Sequence, residues 1–152
     1  MFMDKRTIKQ AESKISPDPM GSVCGGGILQ YKSFGDFMAQ KRTGLGMTIR
    51  EMAEALNCTP TFVFDVEKDK RYPPEVHRLE LLASALGLSR EEQRLMYDLA
   101  GEGRGTIAPD LPVYIQDHPF VVEGLRESRD LGAVKEDWDK FVEYLKKNRE
   151  RK

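Results

Sequence analysis

The residue types best suited to recognising another molecule are gathered between Thr48 and Arg71. That stretch holds hydroxyls at Thr48, Thr59 and Thr61, rings at Phe62 and Phe64, a carboxylate at Asp65, and cations at Lys68, Lys70 and Arg71. The spacing sets Thr61, Phe62, Phe64 and Asp65 on the outer face of a short helix whose inner face carries Val63 and Val66. Preceded by a second short helix and a tight corner, such a face is narrow and convex enough to enter the major groove of double-stranded DNA. The chemistry on offer is hydrogen bonding and apolar contact, with cations close by.

Other chemistries are poorly served. Catalysis needs acid–base or nucleophilic groups converging in a concave site, and the chain has no P-loop pattern, no GxSxG and no HExxH. Gly25-Gly26-Gly27 is not followed by helix signals with a lysine and reads as a hinge. Neither an enzyme nor a cofactor is expected. Cys24, Cys58, His77 and His118 are widely separated, whereas structural zinc ligands usually come in close pairs, so no metal site is expected. No run approaches the roughly 18 apolar residues of a membrane span. The opening MFMDKRTIKQ lacks the apolar stretch of a secretory signal. The expectation is a cytoplasmic protein without a membrane partner.

The elements that would position the recognition stretch are marked by their punctuation. Residues 1–32, with Ser16-Pro17-Asp18-Pro19 and the glycine cluster at 25–27, read as a flexible tail, with Ile28, Leu29 and Tyr31 able to form a short extended piece. Ser33 then precedes Phe34, Phe37 and Met38 at one-face spacing, with Asp36 placed to serve first-turn amides. Thr48 and Glu51 make a capping box before Met52, Ala53 and Leu56. At the corner, Asn57 fits a position of positive φ, which asparagine tolerates better than other residues bearing a Cβ. Thr59 caps a third helix with Pro60 at its first position. A fourth begins near Pro74, buries Val76, Leu79, Leu82, Ala83 and Leu86, and stops at Gly87. Ser89 and Glu92 open a fifth with Leu95, Met96 and Leu99 inside, and Gly101 to Gly105 reads as an exposed, flexible end.

These residues resemble the phage-repressor/Cro-type helix-turn-helix family, the XRE-like regulators. The resemblance runs from about Ser33 to Leu99. It is carried by Arg42, Met47-Thr48, Glu51-Met52-Ala53, Leu56-Asn57, Thr59-Pro60, Val63, Val66-Glu67 and the block from Leu79 through Leu82-Ala83-Ser84-Ala85-Leu86-Gly87-Leu88-Ser89. It implies an all-α, five-helix, lambda-repressor-like DNA-binding domain over residues 33–100 and a transcription regulator. It implies an ion pair between Arg42 and Glu67 that supports the fold. It also implies that Thr59, Pro60, Thr61, Phe62, Phe64 and Asp65 face base edges. Thr61 can exchange hydrogen bonds with a base edge or phosphate, and Asp65 can accept from a cytosine amino group. Phe64 departs from the family, which usually has a small polar residue there; thymine methyl contact and contact with protein both remain open.

Electrostatics is a matter of distribution, since the whole chain carries a net charge of −1. The cations at Lys68, Lys70 and Arg71 are expected to meet phosphates, as is Thr48 at a helix amino end. Modest affinity per copy then points to a homodimer on a two-fold-symmetric operator. Residues 101–152 read as a helical extension, with ten acidic and five basic residues between Gly101 and Tyr144. A surface of that sign repels DNA. Its last helix sets Val134, Trp138, Phe141 and Leu145 at spacings of four, three and four, a narrow apolar seam suited to a partner helix. That seam serves a dimer, a partner protein or packing on the fifth helix. The leading expectation is a dimeric repressor. The alternative is an antitoxin or adaptor whose extension binds a partner protein.

Overall fold

A computed structural model of the protein describes residues 30–151. The described residues form eight helices and no strand. The chain falls into two units that divide between Pro109 and Asp110.

The first unit contains α1 (Phe34–Gly44), α2 (Ile49–Ala55), α3 (Pro60–Glu67), α4 (Val76–Ala85) and α5 (Arg90–Arg104). The caps fall where the sequence sets them. Ser33 Oγ accepts from the Asp36 amide at 3.1 Å, and reciprocal capping boxes start α2 at Thr48/Glu51 and α5 at Ser89/Glu92. Their apolar faces meet in one core of Phe37, Met38, Met52, Leu56, Val63, Val66, Leu79, Leu82 and Met96, all essentially without solvent exposure. Leu88 and Ala100 also join the core, while Val76 and Leu95 stay half-buried.

Helix α5 differs from expectation: it runs through Gly101 to Arg104. Gly101 is buried because the chain returns across it, and a Cβ there would stand 2.8 Å from backbone atoms of Ile107 and Ala108. The residue that ends the helix is Gly105, at φ +66, with the Thr106 amide bonded to the Gly101 carbonyl at 2.9 Å.

The second unit holds α6 (Asp110–Asp117), α7 (Pro119–Asp130) and α8 (Lys135–Arg149). His118 lies between α6 and α7, its ring stacked on Tyr114 at 4.4 Å. Gly132, at φ +68, closes α7. Val134 is the residue before α8 rather than its first turn, and its amide donates to Asp137 Oδ2 at 3.0 Å.

The tail expected at the amino end lies, as far as residue 29, outside the described residues, and so do Ile28 and Leu29. Tyr31 is described; its ring meets Phe37 edge-on at 4.9 Å, against the core.

Candidate nucleic-acid interface

The corner between α2 and α3 follows from one backbone torsion. Asn57 sits at φ +50, and the amide of Cys58 bonds back to the Ala53 carbonyl at 2.9 Å. This ends α2 and redirects the chain so that Thr59 can cap α3, its hydroxyl accepting from the Phe62 amide at 3.2 Å. Val63 and Val66 are fully buried and hold α3 against the core. The opposite side, Thr59, Pro60, Thr61, Phe64 and Lys68, is exposed.

The two phenylalanines of α3 have different surroundings. Phe64 is 41% exposed, with the ammonium groups of Lys68 and Lys70 at 6.0 and 5.6 Å from its ring centre. Phe62 is half-buried against the core edge, with the guanidinium groups of Arg71 and Arg78 at 5.7 and 5.5 Å from its ring centre. Asp65 is half-buried too, and its Oδ2 lies 3.5 Å from Arg71 Nε. The expected base-facing residues are thus divided: Thr59, Pro60, Thr61 and Phe64 lie open, whereas Phe62 and Asp65 turn toward the loop that follows α3. Arg78 escaped sequence reasoning because its placement over Phe62 depends on how α4 packs on α3, which local spacing does not encode.

Thr48 stands at the amino end of α2, where its capping box is already in use. Its amide and hydroxyl donate to Glu51 Oε2 at 2.7 and 2.8 Å, and the Glu51 amide donates to its Oγ1 at 3.2 Å. These bonds hold the Glu51 carboxyl below its ordinary carboxylate pKa. A phosphate at this end would be left the amides of Ile49 and Arg50, since first-turn amides have no acceptor within the helix.

The far end of α3 is anchored to α1. Arg42 donates from Nε and Nη2 to the two oxygens of Glu67, at 2.6 and 2.9 Å, and from Nη1 to the Met47 carbonyl at 2.6 Å. Both side chains are nearly enclosed, at 11% and 5% exposure. The hydrogen bond to Glu67 raises the Arg42 pKa, so the guanidinium stays charged throughout the working range. Beyond Glu67, Asp69 adopts φ +55 and the Lys70 amide reaches back to the Asp65 carbonyl at 2.8 Å. The Asp69 carboxylate accepts from Ser33 Oγ at 2.8 Å, tying the start of the basic loop to the start of α1. Lys68, Lys70 and Arg71 are exposed on that loop.

The seam residues of α8 are exposed, at 54% for Val134, 39% for Trp138, 50% for Phe141 and 38% for Leu145. Among the described residues no group of histidine, cysteine and acidic side chains is placed to hold a metal ion, and no helix is long and apolar enough to cross a membrane.

A family model described as helix-turn-helix matches residues 38–93. The span runs from within α1 to the first turn of α5, and so contains the corner, α3 and the basic loop. No curated protein and no solved structure matches the chain. With Asn57 turning the chain, α3 pinned by two valines and the family match centred on both, residues 38–93 are a helix-turn-helix domain of the XRE type, the DNA-binding domain of a transcription regulator.

Proposed function

We propose that the protein is a sequence-specific repressor that acts as a homodimer, each copy setting α3 into the major groove of one half of a two-fold-symmetric operator. The observation that carries this reading is the two-sidedness of α3. Val63 and Val66 have no solvent exposure, while Thr61, Phe64 and Lys68 line an uncovered edge. In the groove, Thr59, Pro60 and Thr61 lead, with Thr61 offering a hydroxyl to base edges and a methyl to thymine. Phe64 follows with apolar contact to thymine methyls, and its two flanking lysines meet phosphates on either side. Phe62 and Asp65 support the loop: Asp65 reaches a cytosine amino group only by giving up Arg71, and the Phe62 ring is engaged by Arg71 and Arg78. Arg71 and Thr48 add backbone contacts. Repression follows from occupancy of a promoter, and a cytoplasmic location follows from that role.

The test is a gel shift and footprint on the DNA upstream of the protein's own gene. A protected segment with two related halves is expected, together with loss of binding in a Thr61→Ala/Arg71→Ala double variant that keeps its helical circular dichroism. Saturating protein with no protected segment, or a double variant that binds as tightly as the parent, overturns the reading.

A further inference from the structure

The resemblance places Phe62 at base edges, yet its ring meets two cations that arrive from different elements. Arg71 belongs to the loop after α3 and Arg78 to the first turn of α4, and their guanidinium groups stand 5.7 and 5.5 Å from the ring centre. The ring itself is fixed, because Phe62 packs half-buried on the core edge while Val63 and Val66 hold α3 down. Phe62, Arg71 and Arg78 line one hollow of about 950 Å³, together with Lys70. Asp69, Glu75 and Glu102 line it as well. The Asp69 carboxylate is occupied by Ser33 Oγ at 2.8 Å, and among the described residues none of these three acids makes an ion pair.

Two like charges gathered on one ring repel each other until an anion joins them. Arg71 has only a loose partner in Asp65, at 3.5 Å, and among the described residues no ion pair involves Arg78. Guanidinium forks suit the oxygens of a phosphate, and two forks satisfy more of those oxygens than one. The anion this domain meets is DNA, and Arg71 lies on the basic loop that directly follows the exposed edge of α3. A backbone phosphate therefore fits both the charge and the place. A base fits less well, since Arg78 stands on α4 and not on the helix assigned to the groove.

We propose that Arg71 and Arg78 clamp a single backbone phosphate, and that Phe62 is the positioning residue that holds both guanidinium groups ready for it. The ring serves DNA binding without touching DNA. Arg78 adds a second grip on a phosphate that Arg71 already neutralises, rather than reaching a further one. The clamp deepens the reading of α3 above and rests on it for DNA binding alone; operator choice, repression and the number of copies do not enter. It is measured on random-sequence DNA, so its failure is distinct from a failure to find an operator.

The experiment is fluorescence anisotropy of the full chain and its variants on a random-sequence duplex across a salt series, with a thermal melt of each protein. Arg78→Ala should weaken binding by about tenfold at an unchanged salt slope, because Arg71 still neutralises the shared phosphate. Arg71→Ala/Arg78→Ala should bring the slope closer to zero by about one for each bound copy. Phe62→Leu keeps an apolar side chain on the core edge and should also weaken binding by about tenfold, and Phe62→Tyr, which restores a ring, should recover most of that loss. Combination is the sharper arm. Added to Arg71→Ala/Arg78→Ala, Phe62→Leu should cost no further affinity, because the ring has nothing left to hold. A further loss there overturns the proposal, since it makes the ring a direct DNA contact or a support of the fold. So does an Arg78→Ala chain that binds like the parent, and so does one whose slope already falls, which gives Arg78 a phosphate of its own. Should Phe62→Leu melt early, the arginine variants and Phe62→Tyr decide the matter without it.

Discussion

Arg42 joins three parts of the chain at once: α1 on which it sits, the Met47 carbonyl in the turn before α2, and Glu67 at the end of α3. Because Glu67 is almost enclosed, truncating its partner leaves a carboxylate without water or a cation. Arg42→Ala is expected to destabilise the first unit by about 3 kcal/mol, more than the parent pair contributes net, since the orphaned charge dominates the loss. Glu67→Gln in that background should recover part of it, and thermal denaturation of the three variants measures both. A second pair adds a pH dependence. Lys41 bonds Glu92, which also caps Ser89 at the start of α5, and these bonds hold the Glu92 carboxyl below its ordinary value of 4.5. A folded-state pKa below the unfolded one means the unfolded chain takes up more protons. The stability from Glu92 is therefore present above pH 4.5 and lost as pH falls below it. The melting temperature of the parent should fall as the solution is acidified through that value. Glu92→Gln should start lower at neutral pH and fall less steeply, and equal slopes in the two proteins would remove Glu92 from the account.

At the scale of elements, the placement of α3 rests on a close approach between α3 and α1 that only glycine allows. A Cβ on Gly35 would stand 2.4 Å from the Val66 carbonyl oxygen and 2.9 Å from that of Glu67, both backbone atoms with no freedom to rotate away. Gly35→Ala is expected to cost about 1–3 kcal/mol and to tilt α3, lowering DNA affinity with the melting temperature. Gly44, in the last turn of the same helix, has nothing within 4 Å of its would-be Cβ. Gly44→Ala should raise stability by about 0.5–1 kcal/mol through lost freedom of the unfolded chain. Calorimetry on both variants gives opposite signs if the packing is as described. The contrast marks what sequence reading can reach. Helix starts at Ser33, Thr48, Thr59 and Ser89, the corner at Asn57 and most of the core were legible because caps, torsional preference and periodicity act within a few residues. Gly35 was not, and neither was Asp69, whose carboxylate meets Ser33 36 positions away. Their roles exist only once α3 lies across the start of α1. The run from Gly101 misled for the same reason, since a glycine that ends a helix and one that admits a returning strand of chain look alike until Ile107 and Ala108 are in place.

For the whole molecule, the charge balance sets how tightly and how selectively it can hold DNA. The net charge of −1 gives no general attraction to a polyanion. Affinity must come from a few cations in the right place, and the loop after α3 supplies Lys68, Lys70 and Arg71. In the proposed dimer, three phosphate contacts per copy would make six, and log K should then fall with log salt at a slope of about −5. Lys68→Ala or Lys70→Ala should bring that slope about two closer to zero, one for each copy, and weaken all DNA sequences alike. Arg71 is the informative case, because Asp65 stands 3.5 Å from it and competes with phosphate for its charge. Asp65→Asn should free Arg71 and tighten binding to operator and random DNA by the same factor, leaving the ratio between them unchanged. Fluorescence anisotropy across a salt series on both DNAs measures slope and ratio at once. If Asp65→Asn instead weakens the operator and leaves random DNA unchanged, Asp65 reads a base directly and the restraint on Arg71 is incidental. The parent's selectivity then rests in part on that base contact; otherwise Asp65 sets only how tightly Arg71 grips the backbone, for operator and random DNA alike.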